Sequence, residues 1–166
     1  MPKPLEVTLP NDREVRVVRS FNAPRELVWD AHTKPELVRR WSLGPDGWSM
    51  IVCEMDVRVG GAFRWRWKSD AEGTQFGFFG KFIEVTRPAK LVHDENYDPG
   101  DIGGPTSSEP AIITNDFEEK DGVTTMVLTM VFPSKEARDG AMASGMTDGM
   151  EIGYARLDAM FDAKAV

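Results

Sequence analysis

The amino-acid sequence predicts an α+β fold in which a curved antiparallel sheet wraps around a long C-terminal helix, with two short helices after the first strand. Between Trp48 and Phe132, apolar residues alternate with polar ones and turn residues separate the runs, which is typical of sequential β-hairpins. From Ser134 to Phe161 the apolar residues recur at helical spacing instead, which predicts one amphipathic helix. A sheet wrapped around that helix would cover the apolar side of both elements.

Length and charge narrow the class of protein. The 166 residues predict a single domain, with a core from about residue 13 to residue 162. The net charge of −7 would repel phosphate backbones and anionic lipid, so neither nucleic acid nor a membrane is expected as a partner. Cys53 is the only cysteine, so an internal disulfide is excluded. The sequence does not open with the charged and then apolar stretch of a secretory signal peptide, so secretion is not indicated. We therefore expect a cytoplasmic protein.

The first strand and the two short helices come before the hairpin region. Residues 15–22 alternate apolar and polar side chains, which predicts a strand. Pro24 stands where a helix can begin, since proline suits the first helical position. Thr33 and Glu36 have the spacing of a capping box at the start of a second helix, which the Gly-Pro pair at 44–45 would end.

Six strands are predicted in the hairpin region. Their ranges are Ser49–Asp56, Ala62–Lys68, Gln75–Val85, Lys90–Tyr97, Ala111–Lys120 and Val123–Phe132. Gly60-Gly61 predicts a turn, and Asp121-Gly122 is a strong signal for a two-residue hairpin. Residues 98–110 are rich in Gly, Pro, Ser and Asp without periodicity, which predicts a surface loop.

Glycines on the C-terminal helix raise the question of a cavity. Gly145, Gly149 and Gly153 recur every four residues on its apolar side, and each costs about 1 kcal/mol of helix propensity relative to alanine. Either the helix lies close to the sheet, or the glycines leave a groove that a bound molecule fills. The aromatic face of strand 62–68 would lie opposite, and its size favours the groove.

Several motifs, in this order, resemble one known family. They are Ala23-Pro24-Arg25-Glu26-Leu27-Val28-Trp29, Pro35-Glu36-Leu37 up to Trp41, Asp56 to Phe63 with Gly60-Gly61, Arg87-Pro88 before Leu91-Val92, and the run from Phe132 to Asp139. The chain is similar over nearly its whole length to the Activator of Hsp90 ATPase homologue 1-like family of the START-like (SRPBCC, Bet v 1-like) superfamily. The resemblance implies a helix-grip fold and a container for apolar small molecules, although members also include cyclases and co-chaperone domains. Many members have Trp after the glycine where this chain has Gly149-Met150, so the identity of the ligand cannot be inferred from other members of the family.

Few residues offer familiar catalytic or metal chemistry. His32, His93 and Cys53 are too scattered for a metal site, and no phosphate-binding or dinucleotide-binding glycine motif is present. We therefore expect no metal and no cofactor. Leu91, His93, Glu95 and Tyr97 share one face of their strand. If that face points inward, burial would raise the pKa of Glu95 and make it a proton donor or acceptor; if it points outward, Glu95 is solvated.

The sequence thus favours the binding of a small hydrophobic or amphipathic molecule between the sheet and the C-terminal helix, without catalytic residues. The predicted ligand-binding residues are Trp41, Phe63, Trp65, Phe78, Glu95, Tyr97, Met130, Met146, Met150 and Leu157. One alternative is an enzyme of cyclase or hydrolase type that uses Glu95 in proton transfer. Another is a co-chaperone-like module that engages a chaperone through Arg64, Arg66 and Lys68. A homodimer is also open.

Overall fold

The computed structural model describes residues 3–166, and within that range one sheet of eight antiparallel strands is combined with four helices. The strands are β1 (Glu6–Thr8), β2 (Glu14–Phe21), β3 (Trp48–Met55), β4 (Ala62–Ser69), β5 (Gln75–Thr86), β6 (Lys90–Asp98), β7 (Ala111–Lys120) and β8 (Val123–Val131). The helices are α1 (Arg25–Thr33), α2 (Pro35–Trp41), α3 (Lys135–Ala143) and α4 (Met146–Asp162). The predicted α+β class and its helix-grip arrangement are confirmed.

The strand order explains the role of the two short helices. The order across the sheet is β1-β2-β8-β7-β6-β5-β4-β3, so β2 pairs with the last strand and β3 lies at the far edge. Consecutive hairpins connect β3 to β8, as the alternating pattern predicts. Helices α1 and α2 carry the chain from β2 to the opposite edge, and they therefore lie across one face of the sheet.

The hairpin between β7 and β8 follows from two residues. Asp121 and Gly122 both have positive φ, 53° and 78°, which is what a two-residue hairpin turn of the favoured hand requires. Gly accepts this conformation without cost and Asp tolerates it. The pairing then runs in register from Lys120 with Val123 to Ile112 with Val131. The Asp-Gly prediction is confirmed.

The C-terminal segment is divided, which corrects the prediction of one helix from Ser134 to Phe161. Helix α3 begins after Ser134, whose hydroxyl accepts a hydrogen bond from the Ala137 N–H at 3.0 Å. Gly145 then adopts φ of 80°, a left-handed conformation that interrupts the helix, and α4 starts at the next residue. Helical spacing alone did not reveal the break, because apolar residues keep the same period on both sides of it.

Two smaller predictions at the N-terminal side also need correction. Thr33 is the last residue of α1, and its hydroxyl donates to the Trp29 carbonyl at 2.8 Å, so it does not cap α2. Helix α2 has Lys34 at its N-cap without a side-chain cap. Strand β1 was not predicted, because it has only three residues between Pro4 and Pro10; it pairs along β2, with Val7 opposite Val17.

One face of the sheet, called here the inner face, carries most of the core. Its buried residues include Val17, Phe21, Phe117 and Met126, and they form one cluster with Leu157 of α4. The remaining buried members of that cluster are Val15, Ala23, Val28, Trp29, Ala31, Trp41, Phe63, Phe82, Leu91, Ala111, Ile113, Leu128, Met130, Tyr154, Met160 and Phe161. The opposite, outer face is polar on β4, where Arg64 and Lys68 are exposed.

The glycines of the last helix face α2 instead of the sheet. A Cβ atom built on Gly153 would lie 3.0 Å from the Trp41 carbonyl oxygen, and one on Gly149 would lie 3.9 Å from the Gly44 Cα atom. Gly153 therefore permits a close contact between α4 and α2, and Gly149 faces the loop after α2. The sequence pattern suggested that these glycines either let the helix lie close to the sheet or leave a groove for a ligand. The contacts of Gly149 and Gly153 are with α2 and the loop after it instead.

Candidate functional site on the inner face

The orientation of β6 is decided by the surroundings of His93. Its ring packs edge-on against Phe63 at 4.9 Å and Trp65 at 5.7 Å between ring centres, and it also contacts Phe82. Since these aromatic residues belong to the inner face, Leu91, His93 and Glu95 share that face. This answers the question that the alternation left open.

Glu95 is a carboxyl group without a partner on this inner face. It stands opposite Ala111 of β7 and two residues from His93 and from Tyr97 along β6. Burial raises the pKa of Glu95 to about 7, and no ion pair or hydrogen bond within residues 3–166 counteracts that effect. The group can therefore exchange a proton near neutral pH, or can bind a donor that the protein itself does not supply.

Aromatic rings form a continuous surface beside Glu95. The Phe63 and Trp65 ring centres are 4.3 Å apart, and the Phe78 and Tyr97 ring centres are 5.5 Å apart. The strand pairing explains this surface, because Trp65, Phe78 and Tyr97 stand opposite one another on β4, β5 and β6. The indole N–H of Trp65 is buried and has no acceptor among the described residues.

Tyr97 also anchors the neighbouring loop. Its hydroxyl donates to the Gly103 carbonyl oxygen at 2.8 Å, so the proton of the hydroxyl is already used in a hydrogen bond. The loop between β6 and β7 is held further by Asp98, which pairs with Arg66 at 2.6 Å, and by Asp101, whose N–H donates to the Gln75 carbonyl. The first half of the predicted surface loop is thus tied to β5 and β6, and the end of β6 from which it starts is tied to β4.

The ten predicted ligand-binding residues fall into two groups by exposure. The half-buried ones are Trp65, Phe78, Glu95, Tyr97, Met146 and Met150, and we call this set the open half of the inner face. The buried ones are Trp41, Phe63, Met130 and Leu157. Trp65, Met146 and Met150 pack against the main core cluster, whereas Phe78 packs against a smaller cluster that includes Trp67 and that Trp65 also joins.

Two of the buried residues, Trp41 and Leu157, have a structural role in the core. The Trp41 indole N–H donates to the Ala31 carbonyl at 2.9 Å, and its ring stacks on Tyr154. Leu157 has no exposed surface. These side chains support the wall of the core and present little surface to a ligand in this conformation.

An ion cluster at the other end of the inner face was not predicted. Arg19 of β2 has only 2% of its side chain exposed, and it pairs with Glu151 at 2.9 Å and Asp158 at 2.7 Å. Glu151 also accepts a hydrogen bond from the Leu5 N–H. At helical spacing both carboxylates fall on the polar side of the C-terminal helix, opposite its apolar residues. The signal that could have found the cluster is the position of Arg19, which occupies an inward place between Val17 and Phe21.

His32 is a second unpredicted feature of that end. Its Nδ1 lies 2.7 Å from the Val28 carbonyl oxygen and must donate to it, which leaves Nε2 as an acceptor without a partner. Burial lowers the pKa of His32 to about 4, so the ring is neutral at pH 7. The ring packs against Trp41 and Phe117 at 5.0 and 5.2 Å. These contacts make His32 part of the core.

Metal and thiol chemistry find no support in the part of the chain described. Within residues 3–166 no three His, Cys, Asp or Glu side chains are grouped to hold a metal ion. Cys53 is buried on β3, and burial raises the pKa of its thiol to about 11, which disfavours the reactive thiolate. No helix in the same range is long and apolar enough to cross a bilayer.

A groove of about 660 Å³ lies mainly on the outer face, and Phe63 is the one predicted ligand-binding residue in its lining. Its lining is mixed, with Phe79 and Gly80 beside Arg64, Lys81 and Asp94. It faces solvent on the polar side of β4 and β5. Such a surface suits a protein contact better than an apolar small molecule.

The family of the chain follows from its sequence and its fold together. The family model described as "Activator of Hsp90 ATPase homolog 1-like protein" matches residues 22–162. The chain belongs to this family. The matched range begins just after β2 and ends with α4, so it includes β4, β5, β6 and α4. The resemblance drawn from the motifs is confirmed.

Solved structures share this fold over almost the whole chain. A protein from Rhodobacter sphaeroides is 28% identical, with a TM-score of 0.84 over 96% of this chain and 98% of its own. A protein from Mycobacterium smegmatis is 18% identical, with a TM-score of 0.81 over 99% of both chains. One from Arthrobacter aurescens is 22% identical, with a TM-score of 0.82 over 97% of this chain and 93% of its own. No protein with curated functional information matches the chain.

Proposed function

We propose that this protein binds a small hydrophobic or amphipathic molecule on the open half of the inner face, between β4–β6 and the first part of α4. The observation that carries the proposal is the partial exposure of Trp65, Phe78, Met146 and Met150, together with a Glu95 that has no partner among the described residues. The rest of the same face is closed by buried side chains. Apolar and aromatic side chains around a few polar groups are the usual lining of a small-molecule site.

The side chains of the open half suit a ligand of variable shape. Methionine is flexible and polarizable, so Met146 and Met150 could adapt to an apolar body. Aromatic rings such as Trp65 offer large flat contacts. Phe63 would form the floor of the site and Met130 would support it from β8. A cytoplasmic location is part of the proposal, and it rests on the single cysteine and the acidic composition.

Methionine methyl groups give a direct test with internal controls. We would titrate protein carrying ¹³C-methyl methionine with Nile red, an uncharged apolar dye, and record methyl NMR spectra. The methyl signals of Met146 and Met150 should shift, whereas that of Met126, which is fully buried in the core, should not. Equal shifts at all three, or no dye binding at all, would contradict the proposal.

An enzymatic role for Glu95 is the first alternative. Its support is the pKa of Glu95, which burial raises to about 7, a value suited to proton transfer at neutral pH. Replacing Glu95 with Gln keeps the shape and removes the titration. An enzyme should lose nearly all turnover while its binding is preserved, and a container should keep ligand affinity to within about tenfold, roughly 1.4 kcal/mol.

A chaperone-binding role is the second alternative, and the family description is its main support. Arg64 and Lys68 are exposed on the outer face, but Arg66 is engaged by Asp98 and Gln75, so the predicted basic patch offers two free charges instead of three. Charge reversal of Arg64 and Lys68 should abolish chaperone capture at low salt if this surface docks. Unchanged capture would exclude this surface as the docking site. Whether the chain forms a homodimer can be tested separately by light scattering.

A further inference from the structure

The absence of a charged partner for Glu95 among the described residues indicates which charge a ligand would carry. The buried arginines of the chain lie elsewhere and are already engaged: Arg19 binds two carboxylates of α4, and Arg138 binds the carbonyls of Asn11 and Glu14. The titratable neighbours of Glu95 on β6 are His93 and Tyr97, and burial lowers the pKa of His93, so its ring is neutral at pH 7. Among residues 3–166, therefore, no positively charged side chain is paired with this carboxyl group.

The rings around Glu95 add a second feature. The inward residues of β4 and β5 nearest to it are Phe63, Trp65 and Phe78, and the inward residues of β7 are Ala111 and Ile113. None of these can form an ion pair. Aromatic faces attract cations through their quadrupole, and tryptophan does so most strongly. A carboxyl group bordered by several rings is therefore better matched to a cation than to an anion or a neutral group.

The rim of the site has the same sign. Residues 99–110, the loop that follows β6, contain Asp101 and Glu109 but no Lys or Arg. Residues 140–150, which include Met146 and Met150, contain Asp148 and no basic residue. Lysine and arginine side chains of β4 are on the outer face. In a protein of net charge −7, this distribution would raise the local concentration of cations.

We infer that the ligand is an amphipathic organic cation, with an ammonium nitrogen held by Glu95 and the rings of Trp65, Phe78 and Tyr97, and an apolar tail against the methionines of α4. The inference rests on the proposed function and specifies the chemical class of its ligand. An anionic amphiphile such as a fatty acid should be excluded, because its carboxylate would face Glu95 without a cation between them.

Three probes with the same ten-carbon tail separate charge from apolar contact. They are decyltrimethylammonium, decyl glucoside and decanoate, each titrated below its micellar concentration and followed by Nile red displacement. We expect the cation to bind at least tenfold more tightly than the glucoside, and decanoate to bind most weakly. Glu95→Gln should weaken binding of the cation about tenfold and change binding of the glucoside less than twofold.

Glu54→Gln is the matched control, because Glu54 is exposed on β3 and its replacement removes the same charge from the protein. It should leave all three affinities unchanged, and thermal unfolding would show that both variants are folded. Equal affinity for cation and glucoside, or equal loss with Glu54→Gln, would overturn the inference and leave the proposed function standing. If no probe binds the folded protein, the proposed function fails, and the inference fails with it.

Discussion

The two ends of the inner face differ in how α4 covers them. At the β2 end, the second part of α4 contributes Tyr154, Leu157 and Phe161, all buried, and its carboxylates neutralise Arg19. On β4–β6 the inner face carries half-buried aromatic rings and a Glu95 without a partner among the described residues, and the first part of α4 carries half-buried methionines. We call the first end the closed half. One helix on one sheet thus carries fully buried side chains in its second part and half-buried methionines in its first part.

Replacing Arg19 with Ala should give the largest loss of stability. The change would leave Glu151 and Asp158 close together without a cation, in a place where the arginine side chain is 2% exposed. Breaking a buried pair by removing one partner costs about 3 to 5 kcal/mol. Urea unfolding at pH 7 would measure it. Glu95→Gln in the open half should have no such cost, because Glu95 has no partner to lose. An equal loss of stability in both variants would contradict the distinction between the two halves.

Alanine substitutions along α4 compare the two halves on one helix. Leu157→Ala should lower the free energy of unfolding by about 3 kcal/mol, because the side chain is fully buried and a cavity would remain. Met150→Ala should cost about 1 kcal/mol, since the side chain is only half-buried and water can reach the site. The same denaturation experiment measures both. A loss for Met150→Ala as large as that for Leu157→Ala would show that the first part of α4 is core as well.

The pH dependence of stability should have opposite signs in the two halves. Burial raises the pKa of Glu95 to about 7, above the value near 4.5 of an unfolded chain, so the folded state holds the proton more tightly. This contribution is complete below about pH 4.5 and is lost as pH rises through 7. The free energy of unfolding of Glu95→Gln, minus that of the parent, should therefore rise between pH 4 and pH 8. The expected rise is about 1 to 3 kcal/mol.

His32 provides the contrasting sign in the closed half. Burial lowers its pKa to about 4 from an ordinary value of 6.5, so the unfolded chain binds a proton more readily. Its contribution is present above pH 6.5 and is lost as pH falls through 4. His32→Leu should flatten the acid side of the stability profile without affecting the side above pH 7. A flattening above pH 7 instead would contradict the assignment.

Glycine substitutions in α4 should have the smallest effects. A methyl group on Gly149 would be at 3.9 Å from Gly44, an ordinary contact, so Gly149→Ala should stabilise the protein by about 0.5 to 1 kcal/mol through helix propensity. Gly153→Ala would place the new atom 3.0 Å from the Trp41 carbonyl oxygen and should not share the gain. Thermal unfolding of the pair would show it. A gain at Gly153 equal to that at Gly149 would show that α4 and α2 are less closely packed.

The sequence by itself determined the strands and their hairpins, because a period of two and the turn residues act over a few neighbours. The Asp121-Gly122 turn and the aromatic face of β4 could be read in this way. It also placed Trp65, Glu95 and Met150 among the candidate residues. It could not decide which side of β6 points inward, since alternation is the same for either side.

Only the tertiary structure decided how α4 lies on the sheet. Arg19 meets Glu151 and Asp158 across more than 130 residues of chain, and no local spacing relates them. The glycines of α4 have the same helical period whether they face a sheet, a ligand or, as here, Trp41 and Gly44. The angle and position of a helix depend on the shapes of all the surfaces that it contacts at once, and those surfaces come together only when the chain has folded.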